Sequence, residues 1–209
     1  MAEPIFYTTL EMEGKAEFVE KKSVFIGRAM PAKTEEEAMA YIKQQKNAYS
    51  DARHNVWAYL QKGEIVARYS DDGEPQGTAG VPVLDTIRKS GVTDAVVIVT
   101  RYFGGILLGA GGLVRAYSHT AKLALEAAHI ITYEQYTVMQ LQCSYSDYQR
   151  YLAEFPQFGA VIDDTAFAEA VTIRFAVKDT IKDALMIRVS EISNGSDIPQ
   201  VLEKRFDYR

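Results

Sequence analysis

Five glycines fall within the nine residues from Gly104 to Gly112, inside the stretch RYFGGILLGAGGLVRAY. An apolar run typical of a buried strand precedes them, and an alanine-rich run typical of a helix follows. Each glycine in a regular element costs roughly 0.5–1 kcal/mol relative to alanine. The fold must therefore offset this cost through left-handed turns, close backbone packing or a bound ligand.

The spacing of these glycines does not match the familiar phosphate-binding loops. Gly104 and Gly109 have the spacing of a Walker A loop, but Ala110 and Gly111 stand where its lysine and its serine or threonine belong. The dinucleotide fingerprint also fails, because its third glycine would fall on Val114. Neither of these two nucleotide motifs is therefore predicted.

A loop of small residues that leads into a helix N-terminus is what remains. The free N–H groups there favour an anion, and Arg101 and Arg115 bracket the loop. Two interpretations stay open: the glycines let the helix cross tightly over the sheet, or they form a ligand surface. The second predicts ligand-binding residues at Arg101, Tyr102, Gly104, Gly105, Gly109, Gly111, Gly112 and Arg115.

A second irregular loop, SDDGEPQGTAG, lies between a predicted strand and a predicted helix. Its three neighbouring carboxylates have the chemistry to bind a divalent metal, although their spacing is not that of an EF-hand. Carboxylates that cap backbone N–H groups explain the cluster equally well, so the metal stays unknown. The ligand-binding candidates here are Asp71, Asp72, Glu74 and Thr78, with His54, at the start of a nearby strand, as an additional candidate.

The chain has 209 residues and a net charge of −5, which argues against non-specific wrapping of nucleic acid but leaves a local basic patch open. One cysteine, Cys143, and an N-terminus without a signal-peptide pattern predict a reducing cytoplasm. The longest apolar runs have the length of strands, so no membrane partner is expected. Without a Ser–His or Cys–His constellation, the sequence predicts no catalytic residue and no cofactor.

The order of elements restarts at residues 130–134, which predicts two α+β domains, 1–132 and 133–209. The second part reads as β-α-β-β-α-β, the split βαβ order of ferredoxin-like domains. The first part reads as strands and helices without that order. Its predicted features are a strand at 23–29, a helix opened by a Thr34–Glu37 capping box, strands at 54–60 and 65–70 joined by a turn at Lys62-Gly63, a helix containing Pro82, a buried strand at 95–100 and a helix at 113–129.

Two long motifs, DDGEPQGTAGVP and VTRYFGGILLGAGGLVRAY, together with His54 and the WAY that follows it, resemble the YigZ/IMPACT family. The resemblance implies an N-terminal αβ sandwich similar to the second domain of a small-subunit ribosomal protein. It also implies a C-terminal ferredoxin-like domain similar to the last domain of elongation factor G. Eukaryotic members regulate translation by binding the coactivator of a kinase that phosphorylates an initiation factor.

Two functions are compatible with these features. In the first, the chain is a binding module that regulates translation or a stress response through RNA, the ribosome or a translation factor. In the second, it is a metal-assisted phosphate-handling enzyme, a hydrolase or transferase, whose acidic loop holds the metal and whose glycine loop holds a phosphoryl group. The lack of a recognisable nucleophile or base favours the binding module. The oligomeric state is not predicted.

Overall fold

The structure, a computed structural model, describes residues 6–61 and 66–208. The chain divides into two compact units, one of residues 7–132 and one of residues 133–208 with Phe6. Both units combine a sheet with helices, so the fold is mixed α/β. Within the described ranges, none of the helices combines the length and the hydropathy of a membrane span.

The first unit is built on an antiparallel sheet with the strand order β2-β3-β6-β4-β5. Its elements are β1 (Phe6–Leu10), β2 (Gly14–Glu20), β3 (Ser23–Pro31), α1 (Glu35–Ala48), β4 (His54–Leu60), β5 (Ala67–Ser70), α2 (Gly80–Lys89), β6 (Ala95–Tyr102) and α3 (Ala110–Ala127). Helices α2 and α3 cover one face of the sheet and α1 covers the other.

Strand β6 shows why the sheet is covered on both faces. Side chains alternate along a strand, so Val97 and Val99 pack with α2 and α3, whereas Val96 and Ile98 pack with α1. Every residue of β6 except the last is buried. The prediction of a strand buried on both faces is confirmed.

The predicted capping box at the start of α1 is also confirmed. The backbone N–H of Glu37 donates to Thr34 Oγ1 over 3.2 Å, and the Glu37 carboxylate accepts from the Thr34 N–H. The sequence did not indicate β1 or β2. Strand β2 joins this sheet beside β3, whereas β1 pairs with the strand Ile130–Cys143. The predicted turn at Lys62-Gly63 and the first residue of the strand predicted at 65–70 lie outside the described residues.

The second unit has the predicted element order β-α-β-β-α-β and an antiparallel sheet ordered β10-β7-β9-β8. One face of the sheet packs against two helices, and Cys143 lies in that core, where burial raises the pKa of its thiol to about 11. The elements are β7 (Ile130–Cys143), α4 (Tyr145–Glu154), a 3-10 turn (Phe155–Phe158), β8 (Val161–Phe167), β9 (Val171–Lys178), α5 (Lys182–Ser193) and β10 (Gln200–Asp207).

The separate cores lead to a prediction about folding. The clusters of buried side chains in residues 7–132 share no member with those in residues 133–208. We expect fragments 1–132 and 133–209 each to give a dispersed amide spectrum and a cooperative thermal transition. An unfolded fragment beside a stable intact chain would show that the boundary does not separate independent domains.

Candidate functional site

Asp71, predicted as a ligand or metal residue, instead organises the start of α2. Its carboxylate accepts hydrogen bonds from three backbone N–H groups, those of Gly77, Ala79 and Gly80, at 2.8–3.0 Å. These donors precede or open a helix whose first N–H groups have no intrahelical acceptor. Asp71 therefore caps backbone N–H groups at the start of α2, one of the two roles that the sequence left open, and its role as a ligand contact stays a prediction.

Asp72 ties the acidic loop to its neighbours. Its carboxylate accepts from the Asn55 N–H over 2.6 Å and from Lys46 Nζ over 2.5 Å. Its carbonyl oxygen lies 2.8 Å from His54 Nδ1, which must carry the proton because a carbonyl only accepts. Thr78 likewise bonds within the loop, donating from Oγ1 to the Pro75 carbonyl. Asp72 and Thr78 thus stabilise the conformation of the acidic loop.

Glu74 is the centre of a buried polar cluster. Arg101 Nη1 donates to Glu74 Oε1 over 2.6 Å, and the Tyr117 hydroxyl donates to the same oxygen over 2.8 Å. The Arg101 and Glu74 side chains are only 6% and 4% exposed. Burial, followed by the charge of Glu74, raises the pKa of Tyr117 above its ordinary value. The ion pair is therefore desolvated and internally neutralised.

Two neighbouring strands position Arg101. It lies opposite Phe25 on β3 and opposite His54 on β4 in the ladder of the sheet. His54 Nε2 lies 4.0 Å from Glu74 Oε1, and Ser23 Oγ lies 3.4 Å from Arg101 Nη2. Its guanidinium is enclosed and paired, so Arg101 has a structural role in the cluster, and its predicted role as a ligand contact stays a prediction.

These bonds also bear on the expected metal site. Asp71, Asp72 and Glu74 direct their carboxylates to three different sets of donors. In residues 6–61 and 66–208, no three His, Cys, Asp or Glu side chains form a group that could hold a metal ion. The acidic loop thus does not form the metal site that the enzyme interpretation required.

The glycine loop owes part of its composition to close packing. A Cβ atom on Gly104 would overlap the backbone of Lys22 and Ser23, at the turn between β2 and β3. The Gly104 N–H donates to Ser23 Oγ over 3.1 Å, which fixes this approach. Gly105 and Gly109 have φ angles of +83° and +73°, in the left-handed region. At Gly104, the packing interpretation is therefore correct.

The start of α3 is open. Gly109 is its N-cap residue, and no side chain in the described part of the chain caps it. The first intrahelical bond from this turn runs from the Leu113 N–H to the Gly109 carbonyl, which leaves the N–H groups of the first three helical residues, including Gly111, without helical acceptors. A Cβ on Gly111 would lie 3.7 Å from Arg115 Nη1, so the guanidinium lies over this turn.

Both loops and His54 border one cleft, with a volume of about 390 Å³. Its lining residues are Arg53, His54, Gly73, Glu74, Pro75, Arg101, Phe103, Leu107, Leu108, Gly109, Ala110 and Leu113. Of the predicted residues, the structure thus brings together His54, Glu74, Arg101 and Gly109. Arg115 and Gly112 line a second groove, of about 860 Å³, that borders α3 and α2.

Tyr102 does not belong to the cleft. It follows Arg101 on β6, so its side chain points to the opposite face of the sheet, and its hydroxyl donates to Asp51 over 2.9 Å. The sequence also missed Tyr117 and Ser23 as members of the polar cluster. Helical periodicity places Tyr117 on the buried side of α3, but no sequence signal pairs it with a particular carboxylate.

Three exposed cations surround the cleft and the start of α3. Arg53 lines the cleft, the backbone of Lys22 adjoins Gly104, and Arg115 lies over Gly111. None of the three has an ion-pair partner in the part of the chain that the structure describes. These three cations stand out in a chain that is acidic as a whole.

The chain is similar to proteins from several bacteria. It is 33% identical over 196 residues to IMPACT family member YvyE of Bacillus subtilis, which covers 93% of this chain and 90% of that protein. It is 33% identical over 179 residues to IMPACT family member YigZ of Escherichia coli, which covers 84% and 88%. A solved crystal structure of a hypothetical protein matches 96% of this chain and 99% of its own, with 29% identity and a TM-score of 0.59.

Two family models match the two parts of the chain. The Impact N-terminal domain matches residues 21–125, and a domain of unknown function (DUF1949) matches residues 141–196. The first match contains both loops, His54 and the start of α3, which are the features that carried the resemblance in the sequence. The chain belongs to the IMPACT family.

Proposed function

We propose that this IMPACT-family chain is a binding module that regulates translation or a stress response by contacting RNA of the translation apparatus. The contact surface is the loop face, which we define as Lys22, Arg53, Phe103, Leu107, Ala110 and Arg115. The observation that carries the proposal is the combination, on this one face, of unpaired cations, an open helix start and an exposed aromatic ring.

The open start of α3 supplies the phosphate contacts. Backbone N–H groups at a helix N-terminus and the positive end of the helix dipole attract phosphate without reading base sequence. Arg115 adds a guanidinium above the same turn, Arg53 adds a charge at the cleft, and Lys22, whose backbone adjoins Gly104, adds a third exposed cation. The buried Arg101 does not contribute, because Glu74 neutralises it.

The apolar part of the loop face favours unpaired bases. Phe103 and Leu107 both line the cleft. Their exposed fractions are 42% and 82%, respectively. Single-stranded RNA is commonly bound by stacking its bases on aromatic side chains, with about 1–3 kcal/mol per base. The loop face thus combines an aromatic side chain on which a base can stack with N–H groups and cations that can bind phosphate. A loop with only a structural role needs neither feature.

The fold relationships implied by the family resemblance support a role in translation by analogy. The proposal includes a first domain similar to the second domain of a small-subunit ribosomal protein. It also includes a ferredoxin-like second domain similar to the last domain of elongation factor G. The strand order β10-β7-β9-β8 supports a ferredoxin-like arrangement. The RNA contact would then be made at the ribosome or at a translation factor.

Salt dependence tests this proposal. Three cations on the loop face should give a slope of log affinity against log salt near −2, since each neutralised phosphate of single-stranded RNA contributes about −0.7. Arg53→Ala combined with Arg115→Ala should reduce the slope to about −0.7. We would measure binding of a labelled uridine oligonucleotide by fluorescence anisotropy and co-sedimentation with purified ribosomes.

Lys43→Ala is the matched control, because Lys43 is exposed on α1, which packs on the opposite face of the sheet. It should leave both affinity and slope unchanged. Equal RNA binding by the double variant and the wild type, or ribosome association that persists after ribonuclease treatment while free RNA does not bind, would contradict the proposal. The second outcome would point to a protein partner.

A further inference from the structure

Strand β2 forms one edge of the sheet in the first unit. Its pairing with β3 is continuous over seven residues, from Gly14 opposite Ala29 to Glu20 opposite Ser23. Among the described residues, β3 is the only strand that pairs with it. The edge strands β8 and β10 of the second unit each have a register shift, which is a common protection against pairing with another chain. Strand β2 has no such shift.

The hairpin turn determines which backbone groups of β2 are free. Lys21 and Lys22 form a two-residue turn, and both have left-handed φ angles, of +45° and +65°. Glu20 and Ser23 are therefore the first hydrogen-bonded pair, and every second residue of β2 bonds to β3 from there. The residues in between direct their N–H and C=O groups away from β3, and these residues are Lys15, Glu17 and Val19.

The side chains on this free edge are complementary in charge to a second copy of the chain. Lys15 and Glu17 are exposed, and neither has an ion-pair partner in the part of the chain that the structure describes. Antiparallel pairing of two β2 strands can place Lys15 opposite Glu17 of the second copy twice, with Ala16 on the two-fold axis. The neighbouring registers with free N–H and C=O groups place Glu17 opposite Glu17 or Lys15 opposite Lys15. Cross-strand charges therefore favour the first register.

Helix α3 lies close enough to this edge to contact its symmetry mate. A Cβ atom on Gly14 would overlap the backbone of Ala127 and Ala128, and one on Gly27 would overlap the carbonyl oxygen of Thr120. The helix thus lies over both β2 and β3. Since adjacent strands are about 4.8 Å apart, the two copies of α3 would be separated by two strand spacings, roughly 10 Å, which is the distance between packed helices.

The flank of α3 above the edge suits such a contact. The His119 ring lies edge-on to the Phe18 ring of β2, with 4.7 Å between the ring centroids. Leu123 and Ala127 follow His119 by one and two helical turns, so they lie on the same flank, where both are half-buried. Stable interfaces bury about 1,200–2,000 Å² of surface, more than a short strand pair supplies. The two helices provide the additional apolar area.

We infer that the chain forms a symmetric homodimer in which two β2 strands pair antiparallel and join the sheets of the two first units into one. The partner is a second copy of this chain, and the two Lys15–Glu17 pairs set the register of the strands. This inference is independent of the proposed function, because Lys15, Glu17 and Leu123 do not belong to the loop face. It assigns an oligomeric state on which RNA binding does not depend.

Exchange of the charges tests the register. Analytical ultracentrifugation of the intact chain at several concentrations should show a reversible dimer. Lys15→Glu and Glu17→Lys should each weaken it about ten-fold, because each variant creates two like-charge pairs. An equimolar mixture of these variants should recover the wild-type affinity as a heterodimer, since both cross-strand pairs then have opposite charges. The control is Lys43→Glu, the same charge change on the exposed surface of α1, and it should leave the dimer unchanged.

A second pair of variants tests the backbone contact. Glu17→Pro removes an N–H group that points away from β3, so the chain should keep its cooperative thermal transition and lose the dimer. Glu17→Gln keeps this N–H group and removes only the charge, so it should weaken the dimer by less. A dimer that tolerates Glu17→Pro, or a variant mixture that associates no more tightly than the separate variants, would overturn the inference. A wild-type chain that stays monomeric would also overturn it, even if its β2 edge pairs with a different protein.

Discussion

Replacing Arg101 with alanine is expected to lower the free energy of unfolding by about 3–5 kcal/mol, because it leaves the Glu74 carboxylate buried without its counter-ion. Removal of one partner from a buried ion pair is far more costly than loss of an exposed one. Ser23 and the Phe25 ring also lose contacts with the guanidinium. Denaturant titration followed by circular dichroism measures the change directly.

Arg115→Ala is the matched control for this experiment. Arg115 is exposed and has no ion-pair partner among the described residues, so its removal should change the stability by no more than about 0.5 kcal/mol. Combining Arg101→Met with Glu74→Gln should be less destabilising than Arg101→Ala, since no unpaired charge then remains buried. Small and equal effects of Arg101→Ala and Arg115→Ala would show that the buried pair does not stabilise the fold.

The contrast between these arginines shows what the sequence could not supply. Both flank the same glycine stretch, so sequence spacing alone treats them as equivalent. Arg101 is the penultimate residue of a strand that is buried on both faces, and its counter-ion, Glu74, lies 27 positions away in another loop. Pairing over such a distance depends on the register of β6 against β4, which the sequence does not reveal. Arg115 lies exposed on α3, and its role as a ligand contact stays a prediction.

The acidic loop illustrates the same limit at shorter range. Neighbouring carboxylates indicated either a metal site or backbone caps, and the caps were at least as well supported by the sequence. The choice depends on the direction of each side chain: Asp71 faces the N–H groups before α2, whereas Glu74 faces the sheet. Sequence signals whose interacting residues lie close together in the chain were more informative. The Thr34–Glu37 capping box is one of them, because both partners lie in one helical turn.

The edge of the first sheet was difficult to predict for a different reason. Strand β2 alternates exposed residues with half-buried ones, but its exposed side includes Val19 and its half-buried side includes Glu20, so the polar and apolar residues do not alternate cleanly. Its pairing with β3 is nevertheless regular over seven residues. This strand matters for the site, since the turn that follows it brings Lys22 and Ser23 against Gly104.

Gly104→Ala should destabilise the chain by about 3 kcal/mol or more, at the upper end of the range for an overpacked site. The added Cβ would meet the backbone of Lys22 and Ser23, which cannot rotate away as a flexible side chain can. Any shift of that backbone would also move Ser23 Oγ, which accepts from the Gly104 N–H and lies beside Arg101. The strain would therefore extend into the buried polar cluster.

Gly111→Ala is the comparison that separates the two reasons for glycine in this loop. An ideal Cβ on Gly111 has only Arg115 Nη1 nearby, at 3.7 Å, and the position is helical, so alanine should stabilise the chain by about 0.5–1 kcal/mol. If the open helix start binds phosphate, the same methyl group should weaken that binding while the melting temperature rises. Chemical denaturation and a phosphate titration of both variants distinguish the cases: a tolerated Gly104→Ala would refute the packing role, and unchanged phosphate affinity in a stabilised Gly111→Ala would refute the ligand role.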